Sequence, residues 1–402
     1  MREKEYSVVR RNGREAVFCG RKQISKWYRC IWKGVGLMMG ESDYFLAENG
    51  GRMAIFDRNG NRVSRWFDGI HTEGLVEGES EYYVAFENGK EAIFHVSGRQ
   101  VSQWFDRVWK TGLVRGNSSY FMAEYRGKVA MFNRDGSRIS GWFDEIKTAG
   151  VLSGESEYYI AARNGKEAVF HVSGKRISRW FDRIIPEGLV RGRSEYFMAE
   201  KQRKYAIFNR EGRKISRWFR MMGESLVSGK SECFIAGDIG KVAVFDRTGR
   251  RISGWFHFVE DIGLPEGEGD YYVARKNGKV AIFHRDGKRI SKWLDEIHDG
   301  VFFEKEGLAR RFVMGKSSYY IGWDSGRFFL FTKESPEPVA EIRNRELVDF
   351  LNHLTDEEIE KILAGKKGRR KQIVEGLKLM KKPRAEKKKE AETEVRETGG
   401  TS

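Results

Sequence analysis

The sequence predicts an all-β repeat protein built from nine copies of one segment of about 38 residues. Two recurring phrases carry this prediction, since self-similarity at a fixed period is the signature of repeat architectures. Ser-x-Trp returns eight times, 37 to 39 residues apart, at Trp27, Trp66, Trp104, Trp142, Trp180, Trp218, Trp255 and Trp293. An apolar phrase that ends in phenylalanine precedes each of them, and a ninth such phrase ends at Phe331 without a following Ser-x-Trp.

Each copy is expected to contain four short strands. In the third copy these are Gly74–Glu77, Tyr82–Glu87, Lys90–Val96 and about Gln100–Asp106. Asn88-Gly89 separates the second and third strands and predicts a tight hairpin, because a type I′ turn needs positive φ at both central positions. Glycine also recurs at the second turn of every full copy, and in copy six the first turn has Arg203 instead of glycine.

The middle strands are apolar on both faces, which is typical of strands that are covered on both sides. Neighbouring copies must therefore stack on one another. We expect a propeller-like toroid of four-stranded units over residues 1–340, with an open β-superhelix as the alternative.

The phrases GLVEG, NGKEAIF, DRNGNRVS and WFDGI resemble the bacterial WG-repeat (KWG-type) family between about Tyr6 and Phe331. The Trp-Gly pair of that family is replaced here by alanine with isoleucine, valine or methionine, and the tryptophan stands in the fourth strand. The resemblance implies an interaction module and no catalytic activity.

Composition narrows the classes of function. The formal net charge is +16, which favours acidic partners such as nucleic acid, an anionic surface or acidic proteins. Three cysteines without paired spacing argue against a disulfide framework or a zinc site and favour a reducing compartment. The start has no apolar signal-like segment and no run is apolar enough to span a membrane, so we expect a cytoplasmic protein.

Residues that recur in every copy are expected to be architectural. The tryptophans should fill the gaps between copies. The serines two positions before them should be buried and bonded to the backbone of the next copy. Asp68, Asp106, Asp144, Asp182 and Asp295 should cap the following turn. His95, His171 and His284 share one position, and no catalytic motif appears, so the sequence predicts no enzyme, no cofactor and no metal site.

Basic residues occupy twelve of the sixteen positions just before the Ile/Val-Ser of each copy. Equivalent positions place these charges along one edge, where they could attract phosphates or simply block edge-to-edge pairing. The candidates for nucleic-acid binding on this edge are Arg62, Arg99, Arg138, Arg176, Arg213, Lys214, Arg250, Arg251 and Arg289.

Copies six and seven depart from the repeat together. Copy six reads WFRMMGES and copy seven reads WFHFVEDIG, and a ten-residue insertion precedes the ninth hairpin. Exposed apolar residues at such places suggest a protein-binding surface. The candidates are Arg220, Met221, Met222, His257, Phe258, Phe302 and Phe303.

A basic helical module is expected at 341–383, followed by a disordered charged tail at 384–402. Thr355-Asp356-Glu357-Glu358 is typical of a capping box that opens a helix ending near Gly365. Further nucleic-acid candidates are Lys366, Lys367, Arg369, Arg370, Lys371, Lys381 and Lys382.

Together these features predict a non-enzymatic binding scaffold for an RNA-containing partner, with a ribosome-associated factor that occupies or bridges the subunits as the most specific reading. The alternative is a protein–protein scaffold with no nucleic-acid role. A homo-oligomer is compatible with either reading.

Overall fold

A computed structural model describes residues 6–147, 150–297, 307–343 and 345–364. The chain forms two compact bodies that divide within the seventh hairpin. Met1–Ile239 and Phe245–Arg250 belong to the first body, and Gly240–Val244 and Arg251–Ser402 belong to the second, as far as these ranges are described. Most of the regular secondary structure of the described chain is β-strand, which confirms the all-β repeat prediction.

The predicted hairpins are present, two six-residue strands to each copy. In copy three the strands are Tyr82–Glu87 and Lys90–His95, and Asn88 and Gly89 take the positive φ values of 50° and 74° that a type I′ turn requires. The other hairpins are Tyr6–Arg11 with Arg14–Cys19, Tyr44–Asn49 with Arg52–Asp57, Tyr120–Tyr125 with Lys128–Asn133, Tyr158–Arg163 with Lys166–His171, Tyr196–Lys201 with Lys204–Asn209, Tyr271–Lys276 with Lys279–His284, and Tyr319–Asp324 with Arg327–Thr332. The seventh pair of strands is Cys233–Asp238 and Lys241–Asp246.

The first strand of each copy is not where the sequence placed it. A leading strand of two or three residues begins three positions after each recurring tryptophan and pairs with the first hairpin strand, as Arg107–Val108 does with Glu124 and Ala123. The others are Cys30–Ile31, Gly69–Ile70, Glu145–Lys147, Arg183–Ile185, Met221–Met222, Phe258–Val259 and Glu296–Ile297. The predicted strand Gly74–Glu77 is instead a turn, because Gly74 and Gly78 both hold positive φ.

The predicted fourth strand is also wrong for copies two to eight, and in copy one it is only the two-residue strand Lys22–Gln23. After the second turn the chain runs beside the second hairpin strand as a trailing segment that makes isolated bridges, such as Phe94 with Gln100 and Glu91 with Phe105. It then leaves for the next copy, where the N–H of Asp106 bonds to the carbonyl of Glu124 at 2.9 Å. The ninth copy has a continuous fourth strand, Ser335–Ile342, where the sequence lacks Ser-x-Trp.

The core lies between neighbouring copies. Val84 and Ile93 of the third sheet pack in one cluster with Phe121, Ala123 and Phe132 of the fourth, and all five are at most 4% exposed. Burying one such side chain contributes about 1.5–3 kcal/mol. The stacking that the two-faced apolar strands predicted is therefore confirmed within the first body.

A second contact between copies is made by backbone. A Cβ at Gly74, where φ is +86°, would lie 2.7 Å from the carbonyl oxygen of Val114 in the next copy. In the same turns, the hydroxyl of Ser42 donates to the carbonyl of Val76 at 2.6 Å, and that of Ser194 donates to the carbonyl of Val227 at 2.6 Å. Glycine is required here because the turn touches the following copy. Three such turns contain 3₁₀ helices, at Gly36–Met38, Gly188–Arg191 and Leu264–Glu266.

The described part of the second body contains three short helices, α1 (Leu308–Val313), α2 (Arg345–Leu351) and α3 (Asp356–Ala364). The predicted capping box is confirmed: the Glu358 carboxylate accepts from the Thr355 N–H at 2.9 Å, and the Thr355 hydroxyl accepts from the Glu358 N–H at 3.3 Å. The apolar residues of α2 and α3 share a core cluster with the ninth sheet. The expected boundary at 340/341 falls inside the strand Ser335–Ile342.

Replacing one buried serine tests the design of a copy. The Ser140 hydroxyl accepts from the Met131 N–H at 2.8 Å, so Ser140→Ala leaves that buried donor unpaired. We expect the free energy of unfolding to fall by about 1–3 kcal/mol in chemical denaturation. Ser119→Ala, at an exposed serine, is the control and should change it little; equal effects of the two variants would contradict this role.

Candidate interaction surfaces

The recurring tryptophans are half-buried between copies, as predicted. Trp104 lies edge-on to Phe94 of its own copy, with ring centroids 6.0 Å apart, and 6.4 Å from Phe67 of the preceding copy. Cationic side chains cover some of these rings: Arg138 lies 5.6 Å above Trp142 in the same segment. The rings are packed against aromatic neighbours and are not presented as free stacking platforms.

The serines before the tryptophans are buried, but their partners differ from the prediction. Each hydroxyl bonds to its own copy: Ser102 accepts from the Ile93 N–H at 2.9 Å and donates to the carbonyl of Gln103. The trailing segment turns back along its own hairpin, which brings the hydroxyl to that strand and not to the next copy. These serines complete the backbone bonding where no continuous fourth strand forms.

The aspartates after Trp-Phe cap the next hairpin, as predicted. Asp106 accepts from the backbone N–H of Arg126 at 2.6 Å and pairs with Lys90 of its own copy at 2.6 Å. Asp68, Asp144, Asp182 and Asp295 likewise accept from the turns at Asn88, Asn164, Gln202 and Ser325. The Lys90 hydrogen bond and the Arg126 N–H lower the pKa of Asp106. These carboxylates join two copies and are not free for other chemistry.

The shared histidine position caps the second turn. His95 Nδ1 accepts from the Ser97 N–H at 3.1 Å, and its Nε2 lies 3.3 Å from the exposed Glu81 carboxylate. His171 has the same contacts with Ser173 and Glu157. Asp57 and Asp246 cap the same turn in other copies, since each carboxylate accepts a hydrogen bond from the backbone N–H two residues later. The position requires an acceptor, which explains its recurrence.

Glu91 is the acidic side chain whose pKa departs most from its ordinary value among the described residues. Its carboxylate lies 2.9 Å from His71 Nε2, 2.6 Å from the Val108 N–H of the next copy and 3.3 Å from Lys110 Nζ. Burial alone would raise its pKa, but the hydrogen bonds from His71 and Val108 and the charge of Lys110 outweigh burial and lower the pKa to about 2. Glu15 and Glu167 bond to Ile31 and Ile184 in the same way, so this is a clamp between copies.

The described residues hold no group of three His, Cys, Asp or Glu side chains that could bind a metal. A surface depression of about 700 Å³ lies in the first body beside the turns of copies four to six. Its charged side chains are partly paired: Arg210 bonds to Glu195 at 2.7 Å, and Glu157 contacts His171 at 3.2 Å. No helix of the described chain is long and apolar enough to cross a membrane.

The basic edge is exposed, as its residue types suggested. Arg250 pairs with Asp246 at 3.2 Å. The remaining basic-edge candidates make no ion pair with a described residue: Arg62, Arg99, Arg138, Arg176, Arg213, Lys214, Arg251 and Arg289. Besides Arg138, Arg251 and Arg289 lie over the tryptophans of their own segments, at 5.1 and 5.9 Å. Their charges remain accessible because stacking does not neutralise a guanidinium.

The irregular copies expose apolar side chains where other copies place charges. Met221 is 44% exposed and Phe258 45% exposed, at the position that holds Arg107, Glu145 and Arg183 elsewhere. Met222 is half-buried and pairs with Ala236.

In both irregular copies another residue replaces the aspartate that caps the next hairpin. Arg220 replaces the capping aspartate, and its N–H donates to Asp238 at 3.3 Å. His257 Nδ1 takes over the capping role by accepting from the Asn277 N–H at 3.2 Å.

Sequence reasoning missed Ile239, which is 78% exposed in the first turn of copy seven. It noted Arg203 in the first turn of copy six but did not name Lys201, Arg203 or Lys204 as candidate binding residues. The available signal was the pair of altered turns, IleGly at 239–240 and GlnArg at 202–203, in place of AsnGly.

Several candidates lie outside the described residues and remain predictions from the sequence. They are Phe302, Phe303, Lys366, Lys367, Arg369, Arg370, Lys371, Lys381 and Lys382. The part of the expected helical module beyond residue 364 and the charged tail at 384–402 lie there as well.

The clamp at Glu91 makes stability depend on pH. The folded pKa lies below the ordinary 4.5, so the carboxylate stabilises the fold above pH 4.5 and this stabilisation is lost as the pH falls toward 2. Glu91→Gln should reduce the free energy of unfolding by about 1–3 kcal/mol at neutral pH and less in acid. Denaturation at several pH values measures this, with Glu81→Gln as the exposed control. A pH-independent loss would contradict the clamp.

No protein-family model matches the chain, and no curated protein sequence matches it. Among solved structures, a eukaryotic initiation factor is similar at 10% identity and a TM-score of 0.29, over 85% of this chain and 96% of that one. BamB from Moraxella catarrhalis is similar at 14% identity and a TM-score of 0.22, over 71% of this chain and 92% of that one. The C-terminal WD40 domain of Sif2 is similar at 8% identity and a TM-score of 0.22, over 60% of this chain and 78% of that one. Likeness at these TM-scores supports no inference, so the architecture rests on the strands described above.

Proposed function

We propose that this chain is a non-enzymatic scaffold that binds a protein partner through copies six and seven. The observation that carries the proposal is the exposure of Met221 and Ile239 in the first body and, separately, of Phe258 in the second body. Other copies hold polar residues, glycine or the half-buried Cys30 at these positions. Exposed apolar side chains that interrupt a polar repeat position support protein contact, since a partner would remove them from water.

The regular copies support this role as a rigid frame. Their tryptophans, serines, aspartates and histidines are all engaged in packing or capping, so the repeated residues leave no group free for catalysis. Function then falls to positions that depart from the repeat, where sequence change does not disturb the contacts between copies.

The basic edge favours a second candidate, an RNA-containing partner such as the ribosome. Eight exposed cations that form no ion pair with a described residue recur at two adjacent positions of the copies, and such charges attract phosphates and release counterions. The tryptophans add little to this reading because they are packed between copies.

We infer that the repeats are an architectural relative of the WG-repeat class, that they close into a propeller-like ring, and that the protein acts in the cytoplasm. Small-angle scattering distinguishes a ring from an open superhelix, because the superhelix has the larger radius of gyration.

Substitution of the exposed apolar residues tests the protein-partner proposal. Met221→Asp and Phe258→Asp should each weaken partner capture by about tenfold or more, as expected when a central interface residue is lost. Crosslinking followed by quantitative pulldown, with and without nuclease, measures this. Val9→Asp is the control, since Val9 is a strand residue 41% exposed in copy one. Capture that disappears with nuclease would contradict the proposal.

Charge reversal on the basic edge tests the RNA reading. The combined variant Arg62→Glu, Arg99→Glu, Arg138→Glu and Arg176→Glu should abolish RNA co-sedimentation and flatten its salt dependence. Each phosphate contact contributes a slope of about −0.7 in log K against log salt for a single strand. Unchanged RNA binding by this variant, or binding that is insensitive to salt, would exclude the second candidate.

A further inference from the structure

Copy six carries a row of cations across its two hairpin strands and the trailing segment beside them. Lys201 and Lys204 face each other in the hairpin register, and Tyr205 bridges to Phe219, which brings Arg220 beside Lys204. In copies three, four and five, by contrast, the equivalent lysine pairs with an aspartate, as Lys90 does with Asp106. The exchange of aspartate for Arg220 turns an ion pair into a contact between like charges, which costs stability.

The turn beside this row adds another charge at a conformational cost. Gln202 and Arg203 hold φ values of 51° and 59°, whereas the second of these turn positions is glycine in the other copies. An arginine is strained in this left-handed region and a glycine is not. The residues Lys201, Arg203, Lys204 and Arg220, which we call the copy-six cation cluster, are exposed and form no ion pair with a described residue.

Two exposed apolar side chains adjoin the cluster. Met221 follows Arg220 and pairs with Gly237, which has no side chain to cover it. The Arg220 N–H bonds to Asp238, and this contact holds the turn that carries Ile239 next to the cluster. Met221 is 44% exposed and Ile239 is 78% exposed. Cations that form no ion pair with a described residue and uncovered aliphatic side chains therefore occupy one surface of the first body.

We propose that this surface binds an acidic segment of a partner protein that carries apolar side chains among its Asp and Glu residues. The proposal rests on the protein-scaffold function and names the chemistry of the partner. Carboxylates would neutralise the four cations, and the apolar residues of the segment would cover Met221 and Ile239. A nucleic acid fits less well, because bases are bound by stacking on aromatic faces and the exposed apolar side chains here are aliphatic.

Copy one supplies an internal comparison. It has the same row of cations at Arg11, Arg14 and Arg29, but Arg29 lies 4.0 Å from Glu48. The residue after Arg29 is the half-buried Cys30 in place of an exposed methionine. Copy one thus has the charges without the uncovered apolar pair, which allows the two contributions to be separated.

Fluorescence anisotropy on the full chain tests the proposal. The probe is a synthetic peptide of alternating Glu-Glu and Leu-Leu pairs; a peptide with serine in place of leucine, and an oligouridine of equal charge, are the competitors. We expect Arg220→Asp and Ile239→Asp each to weaken peptide binding by about tenfold or more. Arg29→Asp, which makes the same charge change at the equivalent position of copy one, should leave it nearly unchanged.

A stability readout separates binding from damage to the fold. Arg220→Asp restores the residue that pairs with lysine in other copies, and Arg203→Gly removes the strained arginine, so both should raise the midpoint of denaturation while weakening the peptide. Lower midpoints would mean that the two arginines are structural and would overturn the proposal.

Three further outcomes would also overturn it: equal loss in Arg29→Asp and Arg220→Asp, preference for the serine peptide, or preference for oligouridine. If a native partner is captured through Met221 but ignores Arg220→Asp, the scaffold function survives and this inference fails. If no protein is captured at all, the scaffold function itself fails.

Discussion

Contact between neighbouring copies is the constraint on which the rest of the structure depends. A sheet of three short strands has two apolar faces and can bury neither alone, so each copy is completed by the next. Side chains such as Val84 and Phe121 fill the space between sheets, and the turn at Gly74 approaches the following copy too closely for any side chain. Glu91 and Asp106 add hydrogen bonds that also cross from one copy to the next.

This dependence explains why the conspicuous repeated residues are poor guides to function. Each is held by a partner in its own or an adjacent copy: the tryptophan by two phenylalanines, the serine by backbone, and the histidine by the turn it caps. A repeated residue that is held by packing or hydrogen bonds within the stack is not free to bind a ligand. Freedom to change remains at the exposed turns and at the caps where one residue can replace another.

Copy six illustrates how that freedom is used. Replacing the capping aspartate by Arg220 removes an ion pair and a turn acceptor, and the N–H of Arg220 itself donates to Asp238 of the following copy. The hairpin persists although Gln202 and Arg203 both hold positive φ. The fold therefore tolerates a local loss of stability that concentrates positive charge and leaves Met221 uncovered, a combination typical of sites kept for binding.

The sequence by itself determined the copy number, the hairpins, the capping aspartates and the helix that begins after Thr355, because turn chemistry and alternation are local properties. The tertiary structure alone decided that Gly74–Glu77 is a turn and that the chain pairs through Arg107–Val108, since both depend on the next copy. It also decided that Met221 and Ile239 are exposed while Met222 is half-buried. Exposure is set by what packs above a residue, and for a short apolar segment no local pattern specifies it.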